Sequence, residues 1–106
     1  MLVVIFRATV KELDEQYFVL AARLRELALT EFGCLEFHAL SEGNQEIALS
    51  YWPDGKSIAD WKAHPDHMLA QKLGHEKWYS HWSVEVAEIG RNYRGHGKTD
   101  DAVPLL

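Results

Sequence analysis

Hydrophobic and polar residues follow two different periods along this chain, and their order predicts a small α+β domain. Residues 2–9 form a β-branched, mostly apolar run, which indicates a central strand buried on both faces. Over residues 14–31 apolar side chains recur every three or four positions, which is typical of an amphipathic helix. Asp14 is a suitable N-cap for this helix, and Gly33 a suitable stop after its C-terminus.

Two strand-like segments, residues 34–42 and 45–52, flank a Gly-Asn pair at positions 43 and 44. Both residues tolerate positive φ, so the pair predicts a tight turn and an antiparallel hairpin. With a two-residue loop, large apolar groups fall on both faces, which predicts a sheet covered on both sides. One face then carries Glu36, His38, Leu40, Ile47, Leu49 and Tyr51, and the other carries Leu35, Phe37, Ala39, Ala48, Ser50 and Trp52.

An interrupted helix and a final strand complete the domain. Residues 57–63 predict a short helix and residues 65–79 a second one, with Pro65 at the break and His64 or a neighbour as cap. Met68, Leu69 and Leu73 are expected to point toward the core. Residues 81–93 alternate in part and predict the last strand, with Trp82 on one of its faces. Residues 94–106 are expected to form a flexible tail, or an arm laid across a partner chain.

The predicted order is therefore βαββαβ, within residues 1–93. So small a sheet has two faces and helices enough for only one of them. The uncovered face needs another partner, most often a second copy of the chain. We therefore expect a homodimer, with a functional pocket formed by dimerisation.

Composition excludes several classes of function. At 106 residues the chain is expected to be one domain. Its formal net charge of −5, with no basic stripe, argues against a nucleic-acid partner. No segment has the length of a membrane span or the form of a signal peptide, so we expect no membrane partner. Cys34 is the only cysteine, which excludes an internal disulfide and favours a cytoplasmic protein.

Two stretches of the sequence carry a family resemblance. Residues 33–38, Gly-Cys-Leu-Glu-Phe-His, and residues 49–67, with a Trp-Pro-Asp-Gly turn and a His-Pro-Asp-His break, resemble the antibiotic biosynthesis monooxygenase domain. The resemblance implies a ferredoxin-like fold with an antiparallel sheet, which dimerises sheet to sheet into an α+β barrel. Members of that family include cofactor-independent monooxygenases of polycyclic aromatics, quinol oxygenases and haem-degrading enzymes.

The resemblance also assigns roles to residues. Trp61 occupies the position of the family's pocket-facing His or Trp, whereas Ser50 stands where many members carry Glu. Haem degraders have a first-strand Asn and a helix His about ten residues after the Trp. Here those places hold Arg7 or Phe6, and Gln71, which weighs against haem degradation.

Candidate site residues follow from chemistry as well. We expect His67 and Trp61 to be catalytic, with His67 accepting a proton from a phenolic or quinol substrate. Tyr51, His38, Arg7 and Trp82 are candidates for substrate binding, because aromatic walls suit a flat molecule. The simpler interpretations are core packing for the aromatic residues, a capping or surface role for His67, and an ion pair with Glu85 for Arg7.

No cofactor is expected. The histidine spacing at positions 64 and 67 is a weak metal signal, and there is no glycine-rich phosphate loop or dinucleotide fingerprint. The leading hypothesis is a cofactor-independent monooxygenase of a small aromatic, phenolic or quinol-like substrate. The alternative is a non-catalytic dimeric protein that binds a small hydrophobic or aromatic molecule. Haem binding or degradation is a third, less favoured hypothesis.

Overall fold

The structure, a computed structural model, describes residues 1–97 and shows the predicted α+β fold. Its four strands form one antiparallel sheet in the order β2-β3-β1-β4, so β1 is a central strand as predicted. The elements are β1 (Leu2–Val10), α1 (Glu15–Thr30), β2 (Glu36–Glu42), β3 (Gln45–Trp52), α2 (Gly55–Lys62), α3 (Pro65–Leu73), a π-helical turn (Gly74–Trp78) and β4 (Tyr79–Glu88).

The register of the hairpin confirms the predicted faces for the paired residues 36–42 and 45–52, whereas Leu35, predicted to share the face of Phe37, precedes β2 because pairing begins at Glu36. Leu40 pairs with Ile47, His38 with Leu49, and Glu36 with Tyr51, around a turn in which Gly43 has φ +58°. Alternate residues of the sheet therefore divide between a side that the helices cover, here called the helix side, and an opposite side, here called the open side.

Side-chain caps fix where the helices begin. Asp14 accepts a hydrogen bond from the backbone N–H of Tyr17 at 3.0 Å, which confirms its role as N-cap of α1. The Nδ1 atom of His64 accepts from the Asp66 N–H at 3.0 Å and caps α3, also as predicted. Helix α2 begins two residues earlier than predicted, because Asp54 caps it by accepting from the Ser57 N–H at 2.8 Å.

Strand β4 differs from the prediction at both ends. The carbonyl of Trp78, which closes the π-helical turn, accepts from the backbone N–H groups of Lys11 and Glu12. This brings Tyr79 alongside Val10, so pairing starts two residues earlier than expected. Among residues 1–97 the one strand that pairs with β4 is β1, and pairing stops at Glu88 because β1 begins at Leu2, opposite Glu88. Of the predicted tail, residues 98–106 lie outside the described part of the chain.

The core lies on the helix side, between the helices and the strands β1, β2 and β3. Trp52 is fully buried, and its Nε1–H donates to the Ser50 hydroxyl at 2.8 Å. The core prediction was wrong for Met68 and Leu69, which are 59% and 40% exposed because α3 turns them away from the packed interior. The buried cluster consists of Val4, Leu27, Ala28, Cys34, Trp52, Ile58 and Trp61.

The open side carries apolar side chains that nothing in the described chain covers. Leu40 is 77% exposed and Ile47 43% exposed, although both belong to strands of the sheet. Strand β1, expected to be buried on both faces, is covered only on its helix side, where Val4 and Ala8 are buried. A single chain thus leaves a wide apolar surface in contact with solvent.

None of the helices within residues 1–97 is long and apolar enough to cross a membrane.

Candidate functional site

The predicted site residues are distributed over three places. Trp61 and His67 lie together in the helix layer, whereas Tyr51 and His38 lie together on the open side. Arg7 and Trp82 line a cavity of about 260 Å³ near the β1 and β4 strands. The sheet separates the first pair from Tyr51 and His38, so one chain does not bring all six residues into one pocket.

Trp61 is held rigidly by its neighbours. It lies on α2, is 7% exposed, and its ring centroid is 5.0 Å from that of Trp52. Phe37 meets the indole edge-on at 6.2 Å. The indole Nε1–H donates to the carbonyl of Leu24 on α1 at 3.0 Å, which satisfies its only donor. Trp61 therefore presents a fixed aromatic surface toward α3.

His67 of α3 contacts that surface. Its ring lies edge-on to Trp61, with 4.4 Å between ring centroids. Burial among these rings disfavours the charged imidazolium and lowers the pKa of His67 to about 4. The side chain is therefore neutral near pH 7.

Gln71, one helical turn further on, selects the tautomer of His67. Its amide nitrogen lies 2.8 Å from Nδ1 of His67 and 3.5 Å from the carbonyl of Lys62, so both of those atoms accept from it. With Nδ1 accepting, the imidazole proton is on Nε2. A pKa of about 4 makes the ring a poor general base for a phenol, but a neutral Nε2–H is a good hydrogen-bond donor.

On the open side, Tyr51 lines a cavity of about 480 Å³ at one end of the sheet. The His38 ring lies 6.4 Å from the Tyr51 ring, and its Nε2 is 3.3 Å from a carboxylate oxygen of Glu36. Glu36 also accepts from the guanidinium of Arg94, and Arg94 holds the pKa of Glu36 below its usual range. Arg94 follows the last strand, and its pairing with Glu36 was not predicted.

Arg7 makes the ion pair that its simpler interpretation predicted. Its guanidinium donates to Glu85 at 2.7 Å, across the β1–β4 pair on the open side. Trp82 lies on the opposite face of β4, where it is 54% exposed beyond the edge of the helix layer. The two residues reach the same cavity from neighbouring strands.

A buried carboxylate was missed from the sequence. Glu46 of β3 is 8% exposed on the helix side, and its Oε1 accepts from the hydroxyl of Tyr17. Its Oε2 is buried and has no hydrogen-bond partner among residues 1–97. Burial raises the pKa of Tyr17 and of the adjacent Tyr79, so both phenols stay neutral. Strand alternation was a sufficient signal, because Glu46 precedes Ala48, Ser50 and Trp52 on the same face.

Within residues 1–97, no three His, Cys, Asp or Glu side chains come close enough together to hold a metal ion.

The chain is similar to YqjZ, an uncharacterised protein of Bacillus subtilis. The two are 31% identical over 99 residues, which is 92% of this chain and 87% of YqjZ. No family model matches the sequence.

Solved structures show the same fold. SnoaB, a cofactor-independent oxygenase from Streptomyces nogalater, aligns with a TM-score of 0.70 and 15% identity over 86% of this chain and 94% of SnoaB. A crystal structure of an antibiotic biosynthesis monooxygenase aligns at 0.68 and 18% identity over 86% and 100% of the two chains. A conserved protein from Methanosarcina mazei aligns at 0.69 and 20% identity over 81% and 89%. The chain thus belongs to one protein family with YqjZ, and its fold is that of the antibiotic biosynthesis monooxygenase domain.

Proposed function

We propose that the protein is a cofactor-independent monooxygenase that acts on a small aromatic, phenolic or quinol-like substrate. The observation that carries the proposal is the neutral His67 held edge-on against Trp61. The likeness in fold to SnoaB, itself a cofactor-independent oxygenase, supports it. Trp61 supplies an aromatic wall for a flat substrate, and His67 supplies a polar group directed by Gln71.

In this proposal the substrate provides the electrons. An electron-rich phenolate or quinol anion reacts with O2 directly, one oxygen atom enters the product as a carbonyl or a ring hydroxyl, and the other leaves as water with two substrate hydrogens. The Nε2–H of His67 donates to the substrate oxygen and stabilises its anion, so the substrate loses its proton to solvent more readily. His67 thereby takes a different role from the proton acceptor that the sequence suggested.

We further propose that the active form is a homodimer in the cytoplasm, in which a second copy covers the open side. Sedimentation at micromolar concentration is expected to show a dimer, because dimerisation buries Leu40 and Ile47, which are exposed in one chain. Leu40→Lys places a charge in this interface and is expected to shift the protein toward monomer. Val19→Lys is the matched control, since Val19 is 62% exposed on α1, and it leaves the dimer intact. A stable wild-type monomer would contradict the proposed assembly.

Oxygen uptake tests the proposed activity. Metal-stripped protein under air is expected to speed the oxidation of 1,4-naphthohydroquinone above its spontaneous rate. His67→Phe keeps an aromatic ring but removes the donor, and should lower kcat at least about tenfold, which is a loss of about 1.4 kcal/mol. His75→Gln, at an exposed position of the π-helical turn, is the control and should retain the wild-type rate. If no phenol or quinol consumes oxygen above background, the proposal fails.

A non-catalytic binding protein is the second candidate. The observation that favours it is the burial of Trp61, whose donor is already satisfied by Leu24. Ser50, in place of the acid common in the family, also favours it. Tight binding of a quinol without turnover would select this candidate, and turnover would exclude it as the whole account. A haem titration without a Soret shift would exclude the third hypothesis, haem binding or degradation.

A further inference from the structure

Glu46 is a buried carboxylate that the proposed oxygenase activity does not use. It lies on β3 six positions before Trp52, which packs on Trp61, so the strand separates the two places by about 20 Å. Its Oε1 accepts from Tyr17, whereas Oε2 has no hydrogen-bond partner among residues 1–97. None of the ion pairs within those residues includes Glu46. Because buried carboxylates are usually paired, Glu46 has the capacity to accept from a further donor.

Small side chains surround Glu46 on the helix side of the sheet. Ala8 and Ser41 are its direct neighbours on β1 and β2, and Ala48 follows it on the same face of β3. Ser41 is exposed although it faces the helix side, so the helices leave this end of the edge strand β2 uncovered. A shallow passage therefore leads over Ser41 from solvent to the carboxylate.

Aromatic rings adjoin the carboxylate. Tyr17, which donates to Glu46, has its ring centroid 6.4 Å from that of Tyr79, and the Tyr79 ring lies 5.4 Å from that of Phe6. Both tyrosines are half-buried, so part of each ring remains open to solvent. Aromatic faces attract cations, and a carboxylate strengthens that attraction by its charge. The surroundings of Glu46 thus favour a ligand that is both a cation and a hydrogen-bond donor.

We propose that Glu46 binds a small primary ammonium ion, of the class of the arylalkylamines. The ammonium group donates a charge-assisted hydrogen bond to Oε2 of Glu46, and its charge lies beside the Tyr17 ring. The ligand enters over Ser41. This site is on the helix side, so it stays accessible in a homodimer whose second copy covers the open side. It is independent of the proposed oxygenase activity, because it uses neither Trp61 nor His67.

Calorimetric titration of the full chain at pH 7 with benzylamine, which is protonated there, tests the proposal. Saturable binding is expected for benzylamine but not for the neutral benzyl alcohol, which has a similar shape. Glu46→Gln keeps the size of the side chain but removes its charge, and should weaken binding at least about tenfold.

A second variant tests the site without changing the buried carboxylate. Ser41→Phe lies at an exposed position of an edge strand, so it is expected to fold, and its ring fills the passage to Glu46. It should weaken binding at least about tenfold, whereas Ser41→Ala, the matched control, should keep the wild-type affinity. Circular dichroism checks that each variant is folded. If Glu46→Gln fails to fold, the Ser41→Phe and Ser41→Ala pair decides.

A further control separates a specific site from net charge. Glu88→Gln changes the net charge by the same amount as Glu46→Gln, but at an exposed position opposite Leu2, at the other end of the sheet. It should leave the affinity for benzylamine unchanged. Equal binding of benzyl alcohol, wild-type affinity in Ser41→Phe or in folded Glu46→Gln, or no saturable binding of benzylamine to the wild type would each overturn the proposal.

Discussion

Replacing Trp52 by alanine is expected to lower the free energy of unfolding by about 3–5 kcal/mol, which is a large fraction of the stability of a domain this size. Trp52 is the largest fully buried side chain described, and it packs on Trp61 at 5.0 Å. Alanine leaves a cavity at the centre of the helix side. It also removes the donor that the Ser50 hydroxyl accepts from. Urea denaturation at fixed protein concentration measures the loss.

Trp82→Ala is the matched control for this substitution. Both tryptophans lie on the helix side of the sheet, but Trp82 is 54% exposed on the edge strand β4. Its removal is expected to cost about 1 kcal/mol or less, because much of its surface already meets water. Equal losses for the two variants would show that the core is not centred on Trp52.

His67 is expected to make the folded state less stable as the pH falls from about 6.5 toward 4. Its pKa in the folded protein is about 4, against 6.5 for an unperturbed histidine. Between these values the unfolded chain binds a proton that the folded chain does not, so acid favours unfolding. From pH 7.5 to pH 5 the loss amounts to about 2 kcal/mol.

Denaturation curves at the two pH values, for wild type and for His67→Gln, isolate this contribution. The variant should lose about 2 kcal/mol less than wild type between pH 7.5 and pH 5. The direct cost of the substitution cancels in that difference. His75→Gln serves as the exposed control and should follow wild type. An identical pH dependence in His67→Gln and wild type would show that His67 is protonated as readily in the folded as in the unfolded state.

Local sequence patterns predicted most of the fold because the interactions that create it are local or periodic. The Asp14 cap, the Gly43 turn and the alternation along β3 each specify geometry within a few residues. The end of β4 was not predictable in this way. It depends on where β1 begins, which is a contact between Leu2 and Glu88 at opposite ends of the domain.

The candidate site was predicted less completely than the fold, because it depends on contacts between residues that are far apart in the sequence. The sequence could identify Trp61 and His67 as neighbours, since they lie in consecutive helices, but could not show that the sheet separates them from Tyr51. The Glu36–Arg94 pair joins positions 58 residues apart and depends on the path after β4. Periodicity alone does not determine that path.

The burial of Glu46 shows a different limit of prediction from the sequence. Its position on the helix side follows from alternation, but its contact with Tyr17 depends on how α1 packs over the sheet. A buried carboxylate oxygen without a hydrogen-bond partner costs folding free energy. A substitution of Glu46 is therefore expected to change the free energy of unfolding measurably. Polar residues on a predicted core face should therefore be kept as candidates in sequences of this type.

Oxidation of the quinol substrate under isotopically labelled O2, followed by mass spectrometry of the product, tests the central claim most directly. A monooxygenase that uses no cofactor is expected to place one labelled oxygen atom in each product molecule, with metal-stripped protein and at a rate that falls in His67→Phe. A product that carries only unlabelled oxygen, or labelling at the same rate without protein, would contradict the proposed function.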